Sequence, residues 1–103
     1  MTEGTELLDN IDRSRFELYG SGKLLGFLDY RLDGNALRLV HAETSPEQRG
    51  RGVGSELLSR VAEAVRQRGF AVLPYCPFVR EWLRANPDHL DLVPPRRRQE
   101  FGV

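Results

Sequence analysis

The stretch Thr44-Ser45-Pro46-Glu47-Gln48-Arg49-Gly50-Arg51-Gly52-Val53-Gly54-Ser55 constrains this chain more than any other. It ends a strand-like run and opens a strongly amphipathic helix, with three glycines alternating with an arginine and a valine. A helix start carries unpaired backbone N–H groups and the positive end of the helix dipole, so it suits an anion. Glycines strip side chains away and let phosphate oxygens approach the backbone. Spacing separates the possible cradles. A Walker loop needs Gly-x-x-x-x-Gly-Lys-Ser/Thr, and no Gly-Lys pair occurs in this segment. The dinucleotide fingerprint needs a glycine where Ser55 stands. What remains is Arg49-x-x-Gly52-x-Gly54, preceded by Gln48. It reads as a pyrophosphate cradle or as an ordinary glycine-rich turn before a helix.

Around that segment the chain reads as one small α/β (α+β) domain. Residues 1–13 lack periodicity and read as a loose lead-in. Arg15 to Tyr19 is a first strand, Gly20-Ser21-Gly22 a turn, and Leu24 to Leu32 a second strand. Asp33-Gly34-Asn35 signals a hairpin into a third strand, Ala36 to Thr44. From Val53, the apolar positions Val53, Leu57, Leu58, Val61, Ala62 and Val65 recur at helical spacing, with Glu56, Ser59, Arg60 and Glu63 on the opposite face. Gly69 is placed to cap the helix, and Phe70 to Tyr75 reads as a buried strand. That crossover makes the fourth strand parallel to the third. Pro77 opens a short C-terminal helix with Phe78, Val79, Trp82 and Leu83 inward, and Pro87 stops it. The expected architecture is a three-stranded antiparallel meander, a glycine-loop helix, a parallel fourth strand and a short helix. Residues 94–103, beginning Pro94-Pro95-Arg96-Arg97-Arg98, read as a disordered basic tail.

Fifteen basic and fifteen acidic residues cancel, so no global field draws the protein to nucleic acid or anionic membrane. A nucleic-acid module built on the arginine tail is therefore a weak alternative, lacking aromatic-basic interleaving. The single cysteine excludes an intrachain disulfide and suits a reducing compartment. With neither a signal-peptide h-region nor an apolar run of about 20 residues, the expected setting is cytoplasmic.

Gln48 and Arg49-x-x-Gly52-x-Gly54 resemble the Gln/Arg-x-x-Gly-x-Gly/Ala motif of the GNAT superfamily, the acetyl-CoA-dependent N-acetyltransferases. Val40-His41-Ala42-Glu43, Cys76-Pro77-Phe78-Val79-Arg80-Glu81-Trp82-Leu83-Arg84, Asn86-Pro87 and Asp91-Leu92-Val93 are similar to its small single-domain Yjdj-type branch. The resemblance covers residues 14–93, taken as the N-acetyltransferase-like domain. It implies a minimal GNAT fold with acetyl-CoA as co-substrate, no metal, and an amine of a small molecule or peptide as acceptor. It also implies that the third strand diverges from the fourth, with pantetheine in the gap. The backbone near Glu43 and Thr44 would then bind its amides. The cradle would comprise Arg49, Gly50, Arg51, Gly52, Val53, Gly54 and Ser55, with Arg49 and Arg51 neutralising phosphate. Larger members carry further helices and strands that often close over the acceptor, so the acceptor site here is expected to be open. The domain could act as a monomer or complete its site as a homodimer.

Two side chains are candidates for the chemistry. His41 and Glu43 are two residues apart on the third strand, roughly 7 Å along the backbone and on one face. A histidine is the side-chain type suited to taking a proton from an ammonium acceptor, so His41 can do so directly or through water, with Glu43 orienting it or binding a cationic substrate. Leu37 and Leu39 share that face by strict alternation, so a packed core histidine is the other reading. Cys76 precedes the Pro77 helix, where the dipole favours its thiolate. It can protonate the departing thiolate, carry the acetyl group itself, or serve as a small buried hydrophobe. Tyr75 is the fallback acid, and Arg80 is within reach of the coenzyme's rim. The spacing of Phe78 and Trp82 matches a buried stripe, so they are assigned to the core. A coenzyme A or acyl-CoA binding protein with little catalysis is the alternative function.

Overall fold

The computed structural model describes residues 4–103. Five strands form one sheet in the order β1 (Thr5–Asn10), β2 (Arg15–Gly20), β3 (Lys23–Asp33), β4 (Ala36–Thr44) and β5 (Ala71–Pro74). β1 to β4 are an antiparallel meander, and β5 runs parallel to β4. The helix α1 (Val53–Arg68) is the crossover between them, and α2 (Pro77–Ala85) follows β5. Short 3-10 turns at Pro87–Leu92 and Pro95–Arg97 lead to α3 (Arg98–Phe101).

Hydrophobic periodicity places α1 where the sequence predicts it. Val53, Leu57, Leu58, Val61, Ala62 and Val65 are buried against Phe16, Leu18, Leu28, Leu37 and Leu39 of the sheet. Gly52 starts the helix at φ 80° and Gly69 ends it at φ 75°. At the C-terminal end the Gly69 N–H donates to the Arg66 carbonyl, and the Phe70 N–H reaches Val65. Only a residue without Cβ takes that left-handed conformation freely. Glu56, assigned to the solvent face by the helical pattern, is buried instead and accepts from Thr5 and Arg60.

The ends of the chain differ from their sequence reading. The loose lead-in contains a strand, making four antiparallel strands rather than three. β1 pairs with β2 from Thr5↔Gly20 to Asn10↔Arg15, turns Leu7 to the core and leaves Leu8 half exposed. Asp9 on β1 accepts hydrogen bonds from Tyr30 at 2.6 Å and Arg68 at 2.7 Å. Burial, together with that bond, pushes the Tyr30 phenol up to about 12. The basic tail is ordered too. Phe101 is buried and stands edge-on to Tyr75, and Arg84 donates to the Gly102 carbonyl at 2.8 Å. One apolar anchor outweighs the disorder signal of the preceding Pro-Pro-Arg-Arg-Arg run.

A β-bulge decides what the end of β4 presents. Tyr30 pairs with Leu39 and Asp29 pairs with His41, so Val40 is the extra residue. The bulge reverses the alternation. Leu39 lies with Tyr30 on the face covered by α1, whereas His41 and Glu43 lie with Asp29 and Phe27 on the other. The expectation that His41 shares a face with Leu37 and Leu39 is corrected. The parallel ladder ends at Leu39↔Pro74, closed by the Cys76 N–H on the Leu39 carbonyl at 2.8 Å. From Val40 to Thr44, β4 continues without a partner strand on that side.

Candidate active site

The parting of β4 from β5 opens a cleft against α1 and α2. A cavity of about 440 Å³ lies between the glycine loop (Gln48, Arg49, Gly50, Gly52, Val53, Gly54, Ser55) and α2. A second, of about 260 Å³, is lined by Ala42, Glu43, Thr44, Gly54, Leu57 and Phe78. Both are lined by Thr44, Gly54 and Phe78, so they form successive parts of one channel from the loop to the free end of β4.

The loop glycines have separate jobs. Gly50 and Gly52 hold φ near 80° with open space where a Cβ would stand, so backbone conformation selects them. Gly54 is helical, and a Cβ there would lie 2.7 Å from Phe78 Cζ. Its missing side chain seats the Phe78 ring. No side chain caps α1, which leaves its first N–H groups without intrahelical acceptors in a turn that lines the cavity. The Val53 side chain is buried, so only its backbone faces the loop. Arg49 lines the cavity and Arg51 is exposed beside it. Neither belongs to an ion pair among the described residues. The arrangement presents backbone donors and uncommitted cations to an anion.

Phe78 and Trp82, assigned above to the core, line the channel instead. Phe78 is 42% exposed, and the Trp82 indole donates to Ser55 Oγ at 3.2 Å. Only Val79 and Leu83 of α2 are buried. The pattern Phe78, Glu81, Trp82 and Ala85 is itself a helical stripe, and it faces the cleft. Arg80 does not line the channel; it donates to the Tyr75 carbonyl at 2.7 Å and the Pro74 carbonyl at 3.2 Å.

On the other face of the sheet, His41 Nε2 lies 2.8 Å from Glu43 Oε2, with the two side chains 54% and 59% exposed. Phe27 lies beside His41, ring centroids 6.2 Å apart, and Arg15 stacks on Phe27 at 4.3 Å. Arg15 also pairs with Glu17 at 2.6 Å. Glu17 is buried; burial alone would raise its pKa, but hydrogen bonds from Arg15, Tyr19 and Asn10 prevail and hold it below the usual carboxylate range.

Cys76 is not brought to His41. It is the N-cap residue of α2, 5% exposed, within the apolar core, and it lines neither part of the channel. Tyr75 is exposed, and its hydroxyl accepts from Arg97 at 3.3 Å. Among the described residues no group of three His, Cys, Asp or Glu side chains could hold a metal ion, and no helix is long and apolar enough to cross a membrane.

A parallel strand pair that parts beside a glycine-started helix, with a channel from helix to strand, defines the N-acetyltransferase class of fold. The chain belongs to the GCN5-related N-acetyltransferase family, whose model matches residues 15–92, and is an acetyltransferase by that membership. Among solved structures it is similar to a GCN5-like protein from Staphylococcus aureus determined by NMR in solution. That match has 24% identity and a TM-score of 0.67, over 89% of this chain and 90% of that one, and it shows a shared fold. A nourseothricin acetyltransferase crystal structure matches 56% of this chain and 36% of its own at 35% identity, with a TM-score of 0.46. No curated protein matches.

Proposed function

We propose that the protein transfers the acetyl group of acetyl-CoA to an amine. The observation that carries this reading is the channel running from the uncapped start of α1 to the unpartnered end of β4. The N–H groups from Gly52 to Ser55 and the Arg49 and Arg51 guanidiniums would hold the pyrophosphate. The backbone of Glu43 and Thr44, without a strand partner on the β5 side, would pair with the pantetheine amides. Phe78 and Trp82 would form the channel's aromatic wall.

The reaction replaces the thioester C–S bond with a C–N bond, so the amine must lose a proton and the thiolate must be accommodated. In our reading His41 takes that proton. With Nε2–H donated to Glu43, the Nδ1 lone pair is the base. The buried Cys76 contributes packing rather than a covalent or acid step. This proposal places the enzyme in the cytoplasm, working as a monomer or a homodimer.

The test is acceptor-dependent release of free thiol from acetyl-CoA by wild type and His41→Gln. Removing a general base should lower kcat by roughly 10²-fold, with acetyl-CoA affinity unchanged. Equal turnover would remove His41 from the mechanism. Saturable acetyl-CoA binding without thiol release, over a panel of amines, would favour coenzyme binding as the function.

A further inference from the structure

Trp82 is held on several sides, and only part of what holds it belongs to the channel. Its indole N–H donates to Ser55 Oγ at the start of α1, and its carbonyl accepts from the Asn86 side chain at 2.8 Å. The residue also borders a void of about 20 Å³ among Leu58, Val61, Val79 and Leu92, so core packing alone does not immobilise the indole. The remaining contact is a ring. His89, in the turn Pro87–Leu92, stacks on Trp82 with ring centroids 5.2 Å apart and planes 19° from parallel.

His89 is itself held from two directions. Its backbone N–H donates to the Asn86 carbonyl at 3.0 Å, which ties down the turn that carries it. Arg66 of α1 reaches its Nδ1 at 3.3 Å. A guanidinium has donors only, so the imidazole nitrogen is the acceptor there. Asp91 takes two hydrogen bonds from Arg66, at 2.6 and 3.1 Å, and that fork sets the plane of the guanidinium. Both partners are exposed, so the pair adds little stability of its own and acts by orientation. The chain Asp91–Arg66–His89–Trp82 thus ends in the channel wall, although its first three members do not line the channel.

We infer that His89 is a positioning residue: by stacking on Trp82 it fixes the indole in the channel wall before the coenzyme arrives, with Arg66 and Asp91 holding His89 in turn. The inference rests on the reading of this channel as the coenzyme's site. A wall residue that is already fixed loses little rotamer freedom when a ligand binds, so its fixing appears as affinity. What position 89 supplies is a flat ring, because the contact with Trp82 is stacked.

The experiment compares His89→Ala and His89→Phe with wild type, each as the whole protein. Trp82 is the single tryptophan, so the decay of its fluorescence anisotropy reads the motion of the indole without coenzyme or label. His89→Ala should enlarge the fast, local component of that decay. It should also weaken acetyl-CoA binding, measured by calorimetry, roughly two- to tenfold. In turnover the loss should fall on KM for acetyl-CoA and not on kcat. His89→Phe, which keeps a ring to stack, should bring the anisotropy decay and the affinity back to near wild type. An unchanged decay in His89→Ala, or a loss of affinity in His89→Phe as large as in His89→Ala, would overturn the inference. Failure of wild type to bind acetyl-CoA would overturn the coenzyme reading of the channel. A freed indole in His89→Ala, restored in His89→Phe, would even then uphold His89 as the residue that positions Trp82.

Discussion

Replacing Gly54 with alanine separates the channel's shape from the fold's stability. The added Cβ would lie 2.7 Å from Phe78 Cζ, too close for any real contact, so the ring must move. It can move cheaply, because the clash is at the far end of a side chain that is 42% exposed. Alanine inside a helix gains up to about 1 kcal/mol over glycine, which offsets the displacement. The variant should melt within about 4–8 °C of wild type, the shift that corresponds to about 1 kcal/mol in a domain of this size. The displaced ring enters the channel where its two parts meet. A loss of about 1.4 kcal/mol there lowers acetyl-CoA affinity roughly tenfold. Trp82, the single tryptophan, lines the same channel, so its fluorescence reports binding without a label. Two controls sharpen the argument. Gly52→Ala meets no neighbour but must adopt φ 80°, costing about 1–2 kcal/mol, so it should lower the melting temperature. Gly54→Ala combined with Phe78→Ala removes the obstruction, and the two changes should be non-additive in binding. Unchanged affinity in Gly54→Ala, or additive losses in the double variant, would refute the reasoning.

Three further outcomes are expected. Phe101→Ala should cost about 3 kcal/mol by emptying a buried aromatic site, and limited trypsin digestion should then cut at Arg96–Arg98, where wild type resists. Glu17 has its folded pKa depressed, so its contribution to stability is present above the unfolded carboxylate pKa and is lost as pH falls through the folded value. Urea unfolding from neutral to acidic pH should therefore show a shallower loss in Glu17→Gln than in wild type, and parallel curves would contradict that. Cys76→Ser should cost about 1–3 kcal/mol by burying a hydroxyl and leave turnover within a few-fold. A collapse of turnover with coenzyme binding intact would return the thiol to the chemical step.

The long helix was legible because independent signals agreed, from the apolar spacing along its 16 residues to Gly52 and Gly69 at its ends. The glycine loop before the helix and the parallel β4–β5 crossover followed from the same punctuation. The orientation of His41 was hidden because Ala36–Thr44 alternates smoothly on paper. The bulge at Val40 arises from pairing with β3, a long-range choice that no local pattern records. Phe78 and Trp82 misled for a related reason. Helical periodicity identifies a face of α2 but cannot distinguish a face that fills the core from one that walls a cleft. β1 has a single core-facing leucine, and the tail has a single buried phenylalanine, so composition outvoted both.

Calorimetric titration of the purified protein with acetyl-CoA, and separately with a nicotinamide dinucleotide, tests the central claim most directly. Saturable binding of acetyl-CoA alone, weakened roughly tenfold in Gly54→Ala, is the expected result. No binding of acetyl-CoA would mean that the glycine segment is only a turn before a helix, and would contradict the proposed function.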